Sequence, residues 1–169
     1  MQRVLFTRAL RNPTSSYVQG MNELVIPFLI GFLAEFQAVP PLELDVSEIT
    51  ASQFHVAEAD SYWCFCKLLG VMQNHYTFGQ PGIQESCFKV KELLKRADSE
   101  LYEHLTNEGV DVLQFAFRWL NCLFLREFSA KCIPRLMDTY LAEGDDLSHF
   151  IEHFCLVILL KWSAQVRRV

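Results

Sequence analysis

Ser16-Tyr17-Val18-Gln19-Gly20-Met21-Asn22-Glu23-Leu24 is the stretch on which the fold of this chain turns. A polar amide stands there beside a glycine, directly ahead of the apolar run Leu24 to Leu33. The preceding Asn12-Pro13-Thr14-Ser15-Ser16 reads as a loop, because the residue before proline avoids the helical region and Ser16 can cap the next helix. The spacing of apolar residues predicts a long helix from about Val18 to Phe36, kinked near Pro27. Gly20 and Gly31 inside such a helix cost about 1 kcal/mol each relative to alanine, so close packing or a close partner has to account for them. Taken alone, Tyr17 and Gln19 are an aromatic packing residue and a solvent-facing amide.

Outward from this stretch the chain is helical throughout. Val4, Leu5, Ala9 and Leu10 mark the end of a helix before it. Pro40-Pro41 opens a polar, acidic connection expected to run as loop to about Val56. Asp60 or Ser61 can then cap a helix carrying Tyr62, Trp63, Phe65, Leu68, Leu69 and Met72 at 3.6-residue spacing. Tyr76 to Gly82 is a turn by composition. Further helices are predicted at about Ser86–Ala97, Ser99–Glu108, Val112–Phe124 and Ile133–Ala142, with a last one from near Leu147. No segment alternates as a strand does, and neither repeats nor low-complexity tracts occur. The fold class is all-α, in one domain.

At 169 residues, with 51% hydrophobic and 21% charged, the chain can bury a sizeable core and is not disordered. A formal net charge of −5 offers no basic surface for nucleic acid and no attraction to an anionic membrane. The apolar stretches Leu24–Ala34 and Phe154–Leu160 fall short of the ~18 to 20 residues a span needs, so no transmembrane segment is expected. The six cysteines contain no CxxC pair, and most lie in apolar helical contexts. Met1-Gln2-Arg3 leads straight into an amphipathic segment with no signal peptide, which makes a reducing, cytoplasmic compartment with free thiols the expectation.

Intrinsic catalytic machinery is not visible. His149-Phe150-Ile151-Glu152-His153 fits the H-x-x-E-H string of zinc proteases, but no acidic site downstream supplies a third ligand. Cys64 and Cys66, two apart on a helix, point away from each other. Glycine-rich phosphate loops are absent. Neither a metal nor a cofactor is implied.

Several blocks in order resemble the TBC-domain family of Rab GTPase-activating proteins. Ser16 to Leu24 is similar to the family's GYVQGMNDL element, with serine where glycine is usual. Ala59 to Phe65 is similar to its EADAYWCF helix start, and Leu101 to Leu105 to its LYxHL element. Phe117-Arg118-Trp119 with Leu125-Arg126-Glu127-Phe128 resembles FRWxxxLxxREF. Pro134 to Tyr140 stands where the family has RLWDxY, with Met137 in place of tryptophan. The turn Asn74 to Gln84 further resembles the Golgi-acting Gyp-one-like branch. The resemblance covers nearly the whole chain and implies a multi-helix TBC-type domain, truncated at both ends.

It also implies a mechanism. TBC domains insert an arginine and a glutamine into the active site of a GTP-bound Rab-family small GTPase, neutralising charge and orienting water. Carried over by motif, the catalytic glutamine is Gln19, with Tyr17 as its buttress and a contact to the GTPase. Gly20 and Asn22 shape the backbone there. Trp119, Arg126, Glu127, Arg135 and Asp138 are implied to be scaffold, read as packing and buried, paired charges. The family's arginine belongs to an Ile-x-x-Asp-x-x-Arg element that this chain lacks. Arg3, Arg8 and Arg11 have no Asp three residues before them and are read as a solvated helix face. A peripheral location at Golgi or vesicle membranes is implied by the branch. Without the arginine, a catalytically silent helical module that binds GTPases or other partners is the alternative.

Overall fold

The computed structural model describes residues 1–168. Caps and breakers cut the chain into α1 (Gln2–Arg11), α2 (Met21–Glu35), α3 (Ala51–Val71), α4 (Pro81–Ala97), α5 (Ser99–Asn107), α6 (Val112–Asn121), α7 (Ile133–Glu143) and α8 (Leu147–Val166). Short 3-10 turns join several of them, and no strand occurs among the described residues. Helix α2 packs along α3, while α4 sits at the centre against α5, α6 and α8. Leu24, Phe65, Leu69, Ile83, Val90, Leu94, Leu120 and Ile151 are fully buried where these helices meet. Each such side chain contributes about 1.5–3 kcal/mol by leaving water.

Helix boundaries differ from the expected ones wherever capping chemistry is stronger than periodicity. Helix α2 begins at Met21, not Val18, because Gly20 takes a left-handed conformation (φ 107°) that no helix accommodates. Pro27 lies inside it. Helix α3 begins nine residues ahead of Asp60, inside the expected loop. Thr50 and Gln53 form a reciprocal capping box there, and Ser61 donates within the helix to the Ala57 carbonyl at 2.6 Å. Helix α4 starts at Pro81, a residue suited to the first helical position. Helix α6 stops at Asn121 because Leu123 and Phe124 both adopt positive φ. Left-handed backbone costs about 1–2 kcal/mol per residue. Complete burial of Leu123 and Phe124 offsets it, and the Tyr140 hydroxyl donates to the Leu123 carbonyl at 3.0 Å.

The motif residues read as scaffold divide. Trp119 packs as expected, half-buried with its ring 4.9 Å from that of Phe115 and 5.0 Å from that of Phe124. The charges do not. Arg126, Arg135 and Asp138 are exposed and form no ion pair among the described residues. Glu127 is paired, but with Arg118, through bonds of 2.7 and 3.0 Å on the surface. Arg135 and Asp138 are exposed on α7, and Arg126 and Glu127 lie in the exposed turn after α6, so water solvates them and burial was the wrong expectation. Arg8 departs in the opposite sense. It is buried in α1 and donates to the Ser15 carbonyl at 2.7 Å and the Ser15 hydroxyl at 3.1 Å, holding the loop that leads to Gln19.

Within the helical stretch Ala130–Val166, one 18-residue window reaches a mean hydropathy of 1.2, long and apolar enough to cross a membrane. Its α8 part turns Leu147, Ile151, Cys155 and Leu159 into the core instead. Phe115, Trp119, Phe128, Ile158, Trp162 and Val166 border an apolar groove of about 490 Å³ at the surface.

Thr50→Ala removes one half of the capping box and should lower stability by about 1 kcal/mol in urea unfolding, with α3 otherwise intact.

Candidate functional site

Gln19 and Gly20 are the two central residues of a turn closed by the Met21 N–H donating to the Val18 carbonyl at 3.2 Å. Gly20 at φ 107°, ψ −25° gives that turn its type II form, in which the third position must be left-handed. The central peptide of such a turn faces away from the closing bond, so the Gln19 carbonyl needs a partner elsewhere. It finds one in Asn121, at the end of α6, whose Nδ2 donates to it at 2.8 Å.

Asn121 is itself fixed from two sides. Its Oδ1 accepts from Gln80 Nε2 at 2.9 Å, which sets the sense of the amide: oxygen toward Gln80, nitrogen toward Gln19. Its backbone carbonyl accepts from the buried Tyr76 hydroxyl at 3.0 Å. Gln80 precedes α4 in a left-handed conformation and also donates to the His75 carbonyl at 3.0 Å. A side chain at position 20 is excluded twice over: φ is unfavourable, and a Cβ there would lie 2.4 Å from Asn121 Nδ2.

The Gln19 side chain is exposed at the head of α2. Tyr17, also exposed, donates from its hydroxyl to Asn22 Oδ1 at 3.2 Å, bracing the stretch on the first turn of α2. Asn22 in turn donates to Glu23 Oε1 at 3.4 Å. The structure therefore gathers Tyr17, Gln19, Gly20 and Asn22 at one place. Phe78, at the tip of the turn that carries Gln80, is 98% exposed. Asn121 and Gln80 were missed in the sequence, since no spacing pattern links positions 102 residues apart.

The arginines ahead of Gln19 are engaged with the body of the domain. Besides buried Arg8, Arg3 pairs with Glu58 at 2.5 Å, and Arg11 donates to the Tyr62 hydroxyl at 3.3 Å over the rings of Tyr62 and Trp63. In the H-x-x-E-H string, His153 Nδ1 lies 2.9 Å from the His149 carbonyl. Glu152 instead turns inward, accepting from Ser86 at 2.7 Å. No group of three potential metal ligands converges among the described residues.

Beneath the Gln80 turn, His75 is buried and has Nε2 3.4 Å from the Ser86 hydroxyl. Burial, and then the positive Lys89, push its pKa down to about 4. The imidazole is neutral at pH 7.

The chain resembles known proteins over its whole length. The model of the Rab-GTPase-TBC domain family matches residues 1–166. Human TBC1 domain family member 22B is 42% identical over 165 residues, covering 98% of this chain and 33% of that protein. GTPase-activating protein gyp1 of Schizosaccharomyces pombe is 42% identical over 171 residues, covering 100% of this chain and 33% of that protein. The chain thus spans about a third of the length of these relatives. Among solved structures, the Ypt/Rab-GAP domain of Gyp1p superimposes with a TM-score of 0.92 at 42% identity, over 99% of this chain and 54% of that one.

The geometry has two measurable consequences. Gly20→Ala should cost about 1–3 kcal/mol in urea unfolding, from the left-handed backbone and the collision with Asn121. Unfolded His75 takes up its proton near pH 6.5 and the folded residue only near 4. The unfolded state binds the extra proton between those values, so stability falls as pH drops through that window, by roughly 3 kcal/mol in all. Urea midpoints from pH 7 to pH 4 should show this slope, and His75→Gln should flatten it.

Proposed function

Because this chain belongs to the Rab-GTPase-TBC domain family, in its Gyp1-like branch, we propose that it accelerates GTP hydrolysis by a Rab-family small GTPase, supplying Gln19 in trans. One observation carries the proposal: Gln19 projects from the body while its own backbone is clamped by Asn121 and Gly20. A side chain that serves only as solvated surface needs no such support. Hydrolysis in a small GTPase is limited by the position of the attacking water and by charge developing on the phosphates. A primary amide can accept from that water and donate to a phosphate oxygen at once, so the Gln19 carboxamide suits the first task. The protein turns over no substrate itself; it completes the active site of another protein in its GTP-bound state.

Tyr17 and Asn22 form the wall beside Gln19, and Tyr17 offers the GTPase an aromatic surface. The second task calls for an arginine. Arg8 is buried against Ser15, and Arg3 and Arg11 bond to Glu58 and Tyr62, which supports an arginine supplied by another segment. An arginine finger is worth about 10³–10⁵ in rate, so residues 1–169 alone are expected to stimulate weakly. The same three engaged arginines favour a second reading, a module that binds the GTP-bound GTPase without speeding hydrolysis. Peripheral action at Golgi or vesicle membranes, from the cytoplasm, accords with the Gyp1-like branch.

Single-turnover GTP hydrolysis across a Rab panel tests this, using the longest natural polypeptide that contains the chain. Gln19→Ala should lower the stimulated rate about 10²-fold or more, the scale of a lost positioning or proton-handling group, with the melting temperature unchanged. Full stimulation in the mutant would remove Gln19 from the mechanism. GTP-dependent binding without stimulation by any form would establish the silent module.

A further inference from the structure

The Gln19 side chain is exposed, so its position depends chiefly on its backbone. The weak point of that backbone is the peptide between Gln19 and Gly20. Type I and type II turns differ by rotating this central peptide through about 180°, with little movement of the flanking residues. Glycine at the third position reaches both forms without steric cost. The residue that permits the type II turn therefore also permits the flip. A flip reverses the Gln19 carbonyl and the Gly20 N–H, and it changes the rotamers open to Gln19, because rotamer preference depends on φ and ψ.

Asn121 opposes the flip. It is only 8% exposed, and its amide cannot rotate without giving up Gln80, since Oδ1 is the end that accepts from Gln80 Nε2. The end that remains is a donor aimed at the Gln19 carbonyl, 2.8 Å away. The flipped form would leave this buried donor unpaired, a cost of about 1–3 kcal/mol that the type II form avoids. Gly20 leaves the space that the Asn121 amide occupies, so the pair works as one unit.

On the reading of Gln19 as the group acting in trans, we infer that Asn121, oriented by Gln80, is a positioning residue. It holds the Gln19–Gly20 peptide in the orientation that presents Gln19 to the GTPase.

Asn121→Asp is the discriminating variant, because it keeps the shape and places an oxygen, not a donor, against the Gln19 carbonyl. Its first readout needs no partner: 15N relaxation dispersion at the Gly20 amide of the 169-residue chain. The profile should be flat in the parent and show microsecond-to-millisecond exchange in Asn121→Asp. A flat profile in both overturns the inference. The second readout is single-turnover GTP hydrolysis on the Rab panel with the longest natural polypeptide. Asn121→Asp should lower the maximal rate by up to about 10²-fold at an unchanged half-saturating concentration. In a Gln19→Ala background it should lower it no further. An additive loss, or a raised half-saturating concentration at full maximal rate, overturns the inference, since a merely structural residue behaves so. Gln80→Glu, at a half-exposed position, removes the donor that orients Asn121 and should show the same pattern more weakly if Asn121→Asp fails to fold. Full rate in Gln19→Ala overturns the reading of Gln19 and this inference together. Collapse in Gln19→Ala with full rate in Asn121→Asp overturns this inference alone.

Discussion

The amide of Asn121 joins three segments that lie far apart in the chain: the turn before α2, the turn before α4 and the end of α6. Each of its two ends is committed, one to the Gln19 carbonyl and the other to Gln80, so neither can be exchanged without stranding a buried polar group. Tyr76 anchors the same residue through its backbone, from a fully buried position. The free end of α2 is thereby tied to α4 and α6, and the head of α2 acquires its direction from the centre of the domain.

The backbone around this amide is unusual throughout. Gly20, Gly79, Gln80, Leu123 and Phe124 all have positive φ, and all lie in or next to the segments that Asn121 connects. Left-handed conformations persist in non-glycine residues only where surrounding structure over-determines them. Here that structure is the core itself. Leu123 and Phe124 are buried, with the Phe124 ring between those of Trp119 and Phe154, at 5.0 and 4.9 Å. Packing energy from the aromatic layer thus supports the sharp reversal after α6, and the reversal leaves Asn121 at a helix end where its side chain can reach across to the head of α2.

Charge plays a smaller part in cohesion than the motif pattern implied. Arg126, Arg135 and Asp138 stand in solvent, and the Arg118–Glu127 pair is on the surface, where an ion pair is worth at most about 1 kcal/mol. Arg8 is the charged group that matters to the site. Its guanidinium holds Ser15 one residue ahead of the functional stretch, from a buried position in α1.

The sequence by itself determined the helical class, the single core, the grouping of Tyr17, Gln19, Gly20 and Asn22, and the turn expected at Tyr76–Gly82 as far as Gln80, Pro81 and Gly82 opening α4 instead. These depend on local pattern: apolar periodicity, turn composition and a contiguous motif. It also held the Thr50–Gln53 capping box and the Pro81 helix start, which periodicity alone passed over. What only the tertiary structure decided is what Gly20 is for. A glycine in an expected helix pointed to a close neighbour, but the neighbour is an amide from the far end of α6, turned the right way round by Gln80. The same holds for the scaffold charges. Whether a helical arginine is buried like Arg8 or solvated like Arg135 depends on which face meets the core, and hydrogen bonds between distant segments have no period from which they could be read.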